Sequence, residues 1–319
     1  MALGILLVVS FFMSLLFGGS EEINWSALNH NDFIFWEIRF PKTITALVAG
    51  ATLSLAGLVL QIIFRNPLAG PYVLGISSGA SLMVAFSILA GSVFQSLAPV
   101  FQGKSFIVMS AIAGSFFVTL LILVVSKRVN SNVVLLLIGL MFSQICGAIQ
   151  TALEYFADPT SLKSFVVWGM GSLSNTTNAD LTGYVPISVL AILALFLFVK
   201  PLNAFLLGQN YSQNSGINFG KNRFWLILIS SVLTGITTAF CGPVAFVGIA
   251  VPILSRMLFD TSRQQVHLFS CVLIGGSLLL LADALCHSLI SNVALPINML
   301  TTFIGAPLVI YLMFKNKHW

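Results

Sequence analysis

Two ionisable residues stand in an apolar run near the C-terminal end of the chain, where charge is costly. Asp283 and His287 lie four residues apart in LLLADALCHSL (279–289), so a helix would place them on one face. A carboxylate inside a membrane is usually paired or functional. We favour a structural pair between Asp283 and His287 near one membrane face. An acid that couples transport to an ion is the alternative.

A second group of charges precedes the longest apolar run of the N-terminal half. Arg39 and Lys42 flank Phe40 and Pro41 in RFPK, and about 22 nearly uncharged residues follow. Cations at this position are either ordinary anchors at the membrane interface or a dock for an acidic partner. The residues by themselves leave both readings open.

Other reactive residue types show no catalytic spacing. The four cysteines, Cys146, Cys241, Cys271 and Cys286, stand singly in apolar runs, which is typical of packing residues. The sequence contains no GxxxxGK[ST] phosphate loop, so the chain cannot hydrolyse ATP by itself. Histidines and carboxylates form no cluster with metal-ligand spacing. We therefore predict a chain that is not an enzyme, with no catalytic residue, no metal site and no cofactor of its own.

The composition indicates a polytopic membrane protein. Of 319 residues, 58% are apolar and 7% are charged, whereas soluble domains carry roughly 25% charged residues. No run of about 50 residues lacks an apolar segment of spanning length, so one membrane domain over 1–319 is predicted. The net charge of +5 is explained by membrane orientation, and we predict no nucleic-acid partner.

Apolar runs predict an all-α protein with about ten membrane-spanning helices. The predicted spans are 2–18, 43–64, 72–91, 105–126, 132–153, 181–199, 224–240, 245–259, 267–287 and 297–314. An even number of spans places both termini on one side. With the termini inside, ten Lys and Arg residues fall in inner segments and four in outer ones. This asymmetry predicts cytoplasmic termini.

Two similar segments indicate an inverted repeat of helices 2–5 and 7–10. AGPYVLGI (69–76) and CGPVAFVGI (241–249) each follow a long apolar helix and precede a short one. Transporters commonly combine two halves of opposite topology with broken helices at their interface. The alternatives for these segments are Gly-Pro breaks without a repeat, and interhelical packing without a pathway. The residues predicted at the helix breaks and pathway are Gly70, Pro71, Gly75, Ser77, Ser78, Gly79, Gly242, Pro243, Gly248 and Pro252.

One inner connection is long and polar. KPLNAFLLGQNYSQNSGINFGKNR (200–223) has room for two short helices joined by a turn. An ordered loop among tight ones suggests a docking site for a cytoplasmic partner, and a spacer between bundle halves is the alternative. Arg65 and Asn66, at the inner end of the second span, serve either as a helix cap and turn or as a further contact for that partner.

Several motifs together resemble the iron-siderophore, haem and cobalamin permease family of bacterial ABC importers. They are RFPK, RNPLAGPYVLGISSGA (65–80), FVGIAVPILSR (246–256), LLLADALCHSL and GAP (305–307), in family order over essentially the whole chain. The resemblance implies a permease that works as a homodimer in the bacterial cytoplasmic membrane. It also implies two cytoplasmic ATPase subunits that bind ATP and Mg²⁺, and an extracytoplasmic substrate-binding protein. Iron(III)-siderophore complexes are the expected cargo, with haem or cobalamin as alternatives and an ion-coupled secondary transporter as a remote one.

The resemblance also implies roles for individual residues. Arg39, Lys42 and His287 match the family's basic patch that docks the binding protein. The family's coupling loop falls on 202–223. The residues expected to contact the ATPase are Leu207, Gly208, Gln209, Asn210, Gln213, Gly216, Arg65 and Asn66.

The chain departs from the family pattern at four positions. Lys42 and His287 stand where the family usually has Arg, which suggests a weaker electrostatic dock. Ile253 replaces a common His, and Asn298 replaces a common Gly.

Overall fold

The computed structural model describes residues 2–17, 33–90, 103–129, 131–207, 216–289 and 295–315, which are mostly helical and contain no strand. Two π-helical segments, Ile34–Arg39 and Phe86–Ala90, adjoin α2 and α3. The twelve α-helices within the described ranges are α1 (Ala2–Phe17), α2 (Phe40–Phe64), α3 (Ile76–Ala85), α4 (Lys104–Arg128), α5 (Asn132–Phe156), α6 (Pro159–Gly169), α7 (Asn178–Leu197), α8 (Val199–Leu207), α9 (Phe219–Cys241), α10 (Val247–Leu258), α11 (Gln264–Ser288) and α12 (Ile297–Lys315).

Ten of these helices correspond in order to the ten predicted spans. Six helical segments are long and apolar enough to cross a membrane, and α1, α3, α10 and α12 are shorter apolar helices. The all-α polytopic prediction is confirmed. Two short helices, α6 and α8, were not among the predicted spans. They lie at opposite ends of the bundle, before and after α7.

Local sequence explains where several helices begin. Asp158 accepts hydrogen bonds from the N–H groups of Thr160 and Ser161, and Pro159 occupies the first turn of α6. Thr177 and Asp180 form a reciprocal capping box at the start of α7. Asn218 accepts from the N–H of Lys221 and caps α9. These caps satisfy N–H groups that have no partner inside the helix.

Helix contacts repeat between the two halves of the chain, α2–α5 and α9–α12. α2 of the first half packs against α11 of the second, and α9 of the second half packs against α4 of the first. α3 contacts α4 and α5, just as α10 contacts α11 and α12. The pattern agrees with the predicted inverted repeat. α2, which is almost entirely buried, lies at the centre and contacts helices of both halves.

Glycine allows the central helices to approach closely. A Cβ atom on Gly50 of α2 would lie 2.0 Å from the carbonyl oxygen of Gly275 of α11. A Cβ on Gly79 of α3 would lie 2.6 Å from the carbonyl oxygen of Gly114 of α4. Membrane helices associate largely through van der Waals packing, so small residues at such contacts stabilise the bundle.

Candidate functional site

A buried ion pair joins three helices at one end of the bundle. Lys42 Nζ lies 3.0 Å from Asp283 Oδ2, and the two side chains are 1% and 2% exposed. Ser14 Oγ donates a hydrogen bond of 2.7 Å to the same carboxylate oxygen. We call Ser14, Lys42, Asp283 and His287 the ion-pair cluster. It connects the end of α1, the beginning of α2 and the end of α11.

His287 is the accessible member of the ion-pair cluster. Its Nδ1 donates to the carbonyl oxygen of Asp283 over 2.9 Å and lies 3.5 Å from Asp283 Oδ1. The predicted pairing of Asp283 with His287 is therefore confirmed. Both residues border a cavity of 170 Å³ whose wall includes Gly171–Ser174 and Pro296. The cluster thus has a buried side, at Lys42, and a side that opens towards this end of the bundle.

Arg39 and Lys42 do not form the exposed basic patch expected of a dock. Arg39 is 4% exposed, and its Nη1 lies 3.4 Å from the carbonyl oxygens of Leu15 and Leu16. Those carbonyls belong to the last turn of α1, where a cation is favourable. Lys42 is held by Asp283 instead of pointing outwards. Contact of these two side chains with a binding protein stays a prediction. Of the three residues predicted to dock it, only His287 is partly exposed, at 15%.

The two predicted helix breaks meet inside the bundle. A Cβ on Gly70 would lie 3.0 Å from Ile249 Cγ1, and one on Gly248 would lie 2.9 Å from Pro71 Cδ. The first break ends at Gly75, which has φ +78° and precedes α3. Irregular backbone from both halves therefore meets at one point, which we call the helix-break centre. Transporters with inverted repeats have broken helices at the same kind of interface.

The second break has an unusual backbone. Gly242 has φ 73° and Phe246, just before α10, has φ 66°. A left-handed conformation costs a non-glycine residue about 1 kcal/mol. Asn298 Oδ1 accepts a hydrogen bond of 3.1 Å from the N–H of Ala245 and so supports this segment from the start of α12. That contact explains the asparagine at a position where the family commonly has glycine.

Several predicted pathway residues are packing residues in the folded subunit. Ser77 Oγ lies 3.4 Å from Thr238 Oγ1, and Gly79 contacts α4 closely. The carbonyl oxygen of Ser78 accepts from Gln150 Nε2 over 3.2 Å. Pro252 is buried in α10. In this structure these residues contribute to packing between helices. A role for them in the transport pathway stays a prediction.

Ile253 faces an apolar environment in place of the histidine common in the family. It is fully buried and clusters with Ala250 of α10 and Val309 of α12. A neutral branched side chain therefore packs between these two helices.

Arg65 connects the end of α2 to α8 at the opposite end of the bundle, which we call the coupling end. Arg65 adopts φ 49° as the C-terminal cap of α2. Its Nη2 donates a hydrogen bond of 3.1 Å to the carbonyl oxygen of Phe205. Asn66 Oδ1 accepts from the N–H of Leu68 over 2.9 Å and forms the turn. Capping and turn formation are confirmed for both residues, and Arg65 also contacts the coupling segment.

The coupling segment is described in part. α8 carries Leu207, which is 64% exposed at its end, and Gly216 has φ 74° before α9. Asn203 Oδ1 accepts from the N–H of Gln264 over 2.9 Å and so caps α11. The predicted contact residues Gly208, Gln209, Asn210 and Gln213 lie outside the described residues.

Two polar contacts between helices could not be predicted from the sequence. Arg256 Nη1 donates to Gln61 Oε1 over 2.8 Å, and Gln61 Nε2 donates to the carbonyl oxygen of Ile249 over 3.2 Å. This chain of contacts connects the helix-break centre with the coupling end. Lys42 and Asp283 are the other connection. In both cases the sequence shows a charged residue in or beside an apolar run, but it does not indicate which residue that charge contacts.

The described residues bring together no three His, Cys, Asp or Glu side chains in a metal-binding arrangement. Two repeated halves whose broken helices meet at their interface are typical of membrane transporters.

Comparison with known proteins identifies the family. The FecCD transport family matches residues 6–315. The vitamin B12 import system permease BtuC of Pectobacterium atrosepticum is 34% identical over 88% of this chain and 82% of that protein. BtuC of Photorhabdus laumondii is 32% identical over 98% and 92%. The hemin transport system permease HmuU of Yersinia pestis is 33% identical over 89% and 84%. The chain belongs to the FecCD transport family.

Solved structures agree with this assignment. A transporter described as of the metal-chelate ABC type, in an inward-facing conformation, has a TM-score of 0.88 at 30% identity and covers 99% of this chain and 98% of its own. PsaBC from Streptococcus pneumoniae, solved with a Fab, has a TM-score of 0.59 at 15% identity, which shows a shared fold. The protein is therefore a multi-pass membrane permease of the ABC importer type.

Proposed function

We propose that this chain is the membrane-spanning subunit of an ABC importer that carries iron(III)-siderophore complexes. The family match over residues 6–315 is the observation that carries the importer class. The similarity to a metal-chelate transporter along nearly the whole chain supports a bulky chelate as cargo. The chain contributes no covalent chemistry. Its task is to stabilise two conformations that open alternately to the two sides.

Vitamin B12 or haem is the second candidate cargo. The most similar relatives reported above are named as vitamin B12 and hemin permeases. Their identities of 34% and 33% are nearly equal, although the two cargoes differ. Overall sequence similarity therefore does not distinguish the possible cargoes. Uptake of each cargo has to be measured directly.

Uptake in a strain that lacks its own FecCD-family permeases tests the cargo. Co-expression of this chain with its cognate ATPase and binding protein is expected to restore ATP-dependent uptake of a radiolabelled ferric siderophore. Cobalamin and haem, supplied at equal concentration, should enter at background rates. Uptake of cobalamin or haem alone would overturn the siderophore proposal and leave the importer class intact. Uptake of none would contradict both.

We further propose that two copies of the chain form the pathway between them. α5 exposes Gln144, Ala148 and Thr151 on one face. A Cβ on Gly147 of that face would meet no atom within 4 Å. Small and polar residues are a poor lipid-facing surface, whereas they suit a pathway or a helix contact. A homodimer that brings the two α5 faces together accounts for this exposure.

The orientation and partners follow from charge and from the two bundle ends. We propose that both termini and the coupling end are cytoplasmic, since ten of the fourteen Lys and Arg residues then lie inside. Two ATPase subunits would bind the coupling segment 202–223 and transmit ATP-driven closure through Leu207. A substrate-binding protein would dock at the end that carries His287. The cytoplasmic membrane of a bacterium is the proposed location.

Arg65 is proposed to transmit movement between α8 and α2. Arg65→Ala should lower ATP hydrolysis stimulated by the binding protein about fivefold, because an exposed charged hydrogen bond contributes about 1 kcal/mol. The amount of permease in the membrane should stay the same. The measurement is ATPase activity of the complete complex in proteoliposomes.

Two variants separate the contact with α8 from the backbone conformation. Arg65→Gly relieves the left-handed conformation but also removes the hydrogen bond to Phe205, so it should behave like Arg65→Ala. Arg65→Lys keeps a donor and should retain most of the coupling. If Arg65→Gly matched the unmodified protein, the capping conformation would be the whole role of this residue.

A further inference from the structure

Four cations gather where α4 ends and α9 begins, and we call them the basic cluster. Lys127 and Arg128 close α4, whereas Lys221 and Arg223 lie in the first turns of α9. Lys127 Nζ lies 5.7 Å from the centre of the Phe224 ring, and Arg223 Nη1 lies 3.5 Å from the carbonyl oxygen of Val129. These contacts bring the two pairs of cations together at the coupling end.

The basic cluster has no acidic counterpart in its surroundings. Segments 104–129 and 216–259 contain no Asp or Glu, and none of the three ion pairs in the described ranges includes a member of the cluster. Arg223 is 5% exposed, and its Nε and Nη2 have no hydrogen-bond partner there. A buried guanidinium with unpaired donors is unfavourable unless an anion lies close to it. The cluster therefore has the chemistry of an anion site.

An apolar groove lies farther along the same two helices, α4 and α9, and also borders α7. Its 180 Å³ volume is bordered by Phe116 of α4, Ile187 of α7 and Ile236 of α9. Ile236 lies thirteen residues after Arg223, which is about 20 Å along a helix. Ser231, at the near end of the groove, lies eight residues after Arg223, which is about 12 Å. A membrane leaflet has a hydrocarbon depth of about 15 Å, so the near part of the groove lies at acyl-chain depth when the cluster lies at headgroup depth, and Ile236 lies near the middle of the bilayer.

The surface between the cluster and the groove is apolar and exposed. Leu120 and Val124 of α4 are 43% and 58% exposed, and Trp225 of α9 is 44% exposed. Tryptophan is enriched at the level of lipid headgroups. An exposed apolar path from a cationic cluster to a groove suits an amphiphile, whereas a soluble anion or an acidic protein would have no use for the groove.

We propose that the basic cluster and the groove together bind an anionic phospholipid. The exposed Lys127, Arg128 and Lys221 contact the phosphate, and its negative charge also compensates the buried guanidinium of Arg223 behind them. One acyl chain follows Val124 and Leu120 into the groove. Basic pockets between membrane helices on the cytoplasmic side are known to suit such headgroups. The lipid would fix α4 against α9, which are equivalent to α11 and α2 in the other half of the repeat.

Native mass spectrometry of the purified complex tests the headgroup site. The probes are phosphatidylglycerol and the zwitterionic phosphatidylethanolamine with identical acyl chains. The double variant Lys127→Gln with Arg128→Gln should bind phosphatidylglycerol about 25-fold more weakly, from roughly fivefold per cation. Phosphatidylethanolamine binding should hardly change. The control is Lys200→Gln with Arg263→Gln, which removes two exposed cations elsewhere at the same end and should leave both lipids bound.

A groove variant provides an independent measurement. Val232→Trp, which fills the groove from α9, should reduce retention of long-chain phosphatidylglycerol more than that of the dihexanoyl form. Equal loss of both headgroup types, or loss in the control variant, would overturn the proposal. So would a disulfide between two copies through Trp225→Cys, or protection of that cysteine by the ATPase, since a protein would then cover this face.

Discussion

Replacing Asp283 with Ala is expected to destabilise the subunit by about 3–5 kcal/mol, because Lys42 would remain buried without its carboxylate partner. The carboxylate is 2% exposed and accepts from both Lys42 and Ser14. Such a loss is a large fraction of the stability of a typical domain. The variant should reach the membrane in small amounts and melt at a lower temperature in detergent.

Removing both charges together should restore much of this stability. A buried ion pair replaced by apolar residues of similar volume is often neutral. Lys42→Met with Asp283→Leu should therefore melt closer to the unmodified protein than either single variant. Ser14 keeps a partner in this double variant, since its Oγ also lies 3.2 Å from Thr43 Oγ1. Melting temperatures of the unmodified protein, Lys42→Met, Asp283→Leu and the double variant form a double-mutant cycle, in which we expect a strong coupling energy.

A second ion pair in the same chain serves as a control. Lys104 pairs with Asp180 at the surface, where the two side chains are 45% and 21% exposed. Lys104→Ala should cost about 1 kcal/mol or less, because exposed ion pairs contribute little. If Lys42→Ala cost no more than Lys104→Ala, burial would not decide the energetics of the Lys42–Asp283 pair.

The same cycle separates an importer from an ion-coupled transporter. The ion-coupling alternative requires the Asp283 carboxylate itself, since an acid must bind and release the coupling ion. In the structure that carboxylate is paired with the buried amine of Lys42. We therefore expect ATP-dependent uptake to survive in the double variant as far as the protein accumulates. Stable protein without any uptake would instead favour a direct role for Asp283.

Hydropathy was sufficient to predict most of the fold. Ten apolar runs became ten helices, because a spanning helix must be long and nearly free of charge. α6 and α8 were not predicted as spans, since they have 11 and 9 residues and each contains a lysine. The repeat was visible because both halves use Gly-Pro at the break. That Gly70 and Gly248 lie so close to the opposite half was not visible, since it depends on tertiary packing.

The candidate site was less predictable than the fold. Asp283 and His287 could be paired because four residues along a helix place them on one face. Lys42 could not be assigned to Asp283, because nothing in the sequence says that α2 neighbours α11. Arg39 and Lys42 were both expected at the surface. Instead, Lys42 forms a buried ion pair with Asp283, and Arg39 contacts the carbonyl oxygens at the end of α1. Sequence therefore identified the charged residues correctly but not their surroundings.

Gly57→Ala is expected to separate the helices that form the helix-break centre. A Cβ on Gly57 of α2 would lie 1.7 Å from the carbonyl oxygen of Gly248 and 2.6 Å from its Cα. These are backbone atoms, so no side-chain rotation relieves the clash. Overpacking typically costs about 1–3 kcal/mol, and a backbone clash lies at or above the upper end of that range. The measurement is the melting temperature and uptake of the purified, reconstituted complex.

The matched control is the same substitution at a glycine with open space. A Cβ on Gly183 of α7 would meet no atom within 4 Å. Gly183→Ala should therefore be neutral or stabilise α7 by up to about 1 kcal/mol, the helix propensity difference between the two residues. A normal melting temperature and normal uptake for Gly57→Ala would contradict the close approach of α2 and α10. Gly248 lies against both Gly57 and Pro71, so a small displacement of α10 would move the second helix break away from the first. Loss of uptake with little loss of stability would therefore show that the two breaks must meet for transport.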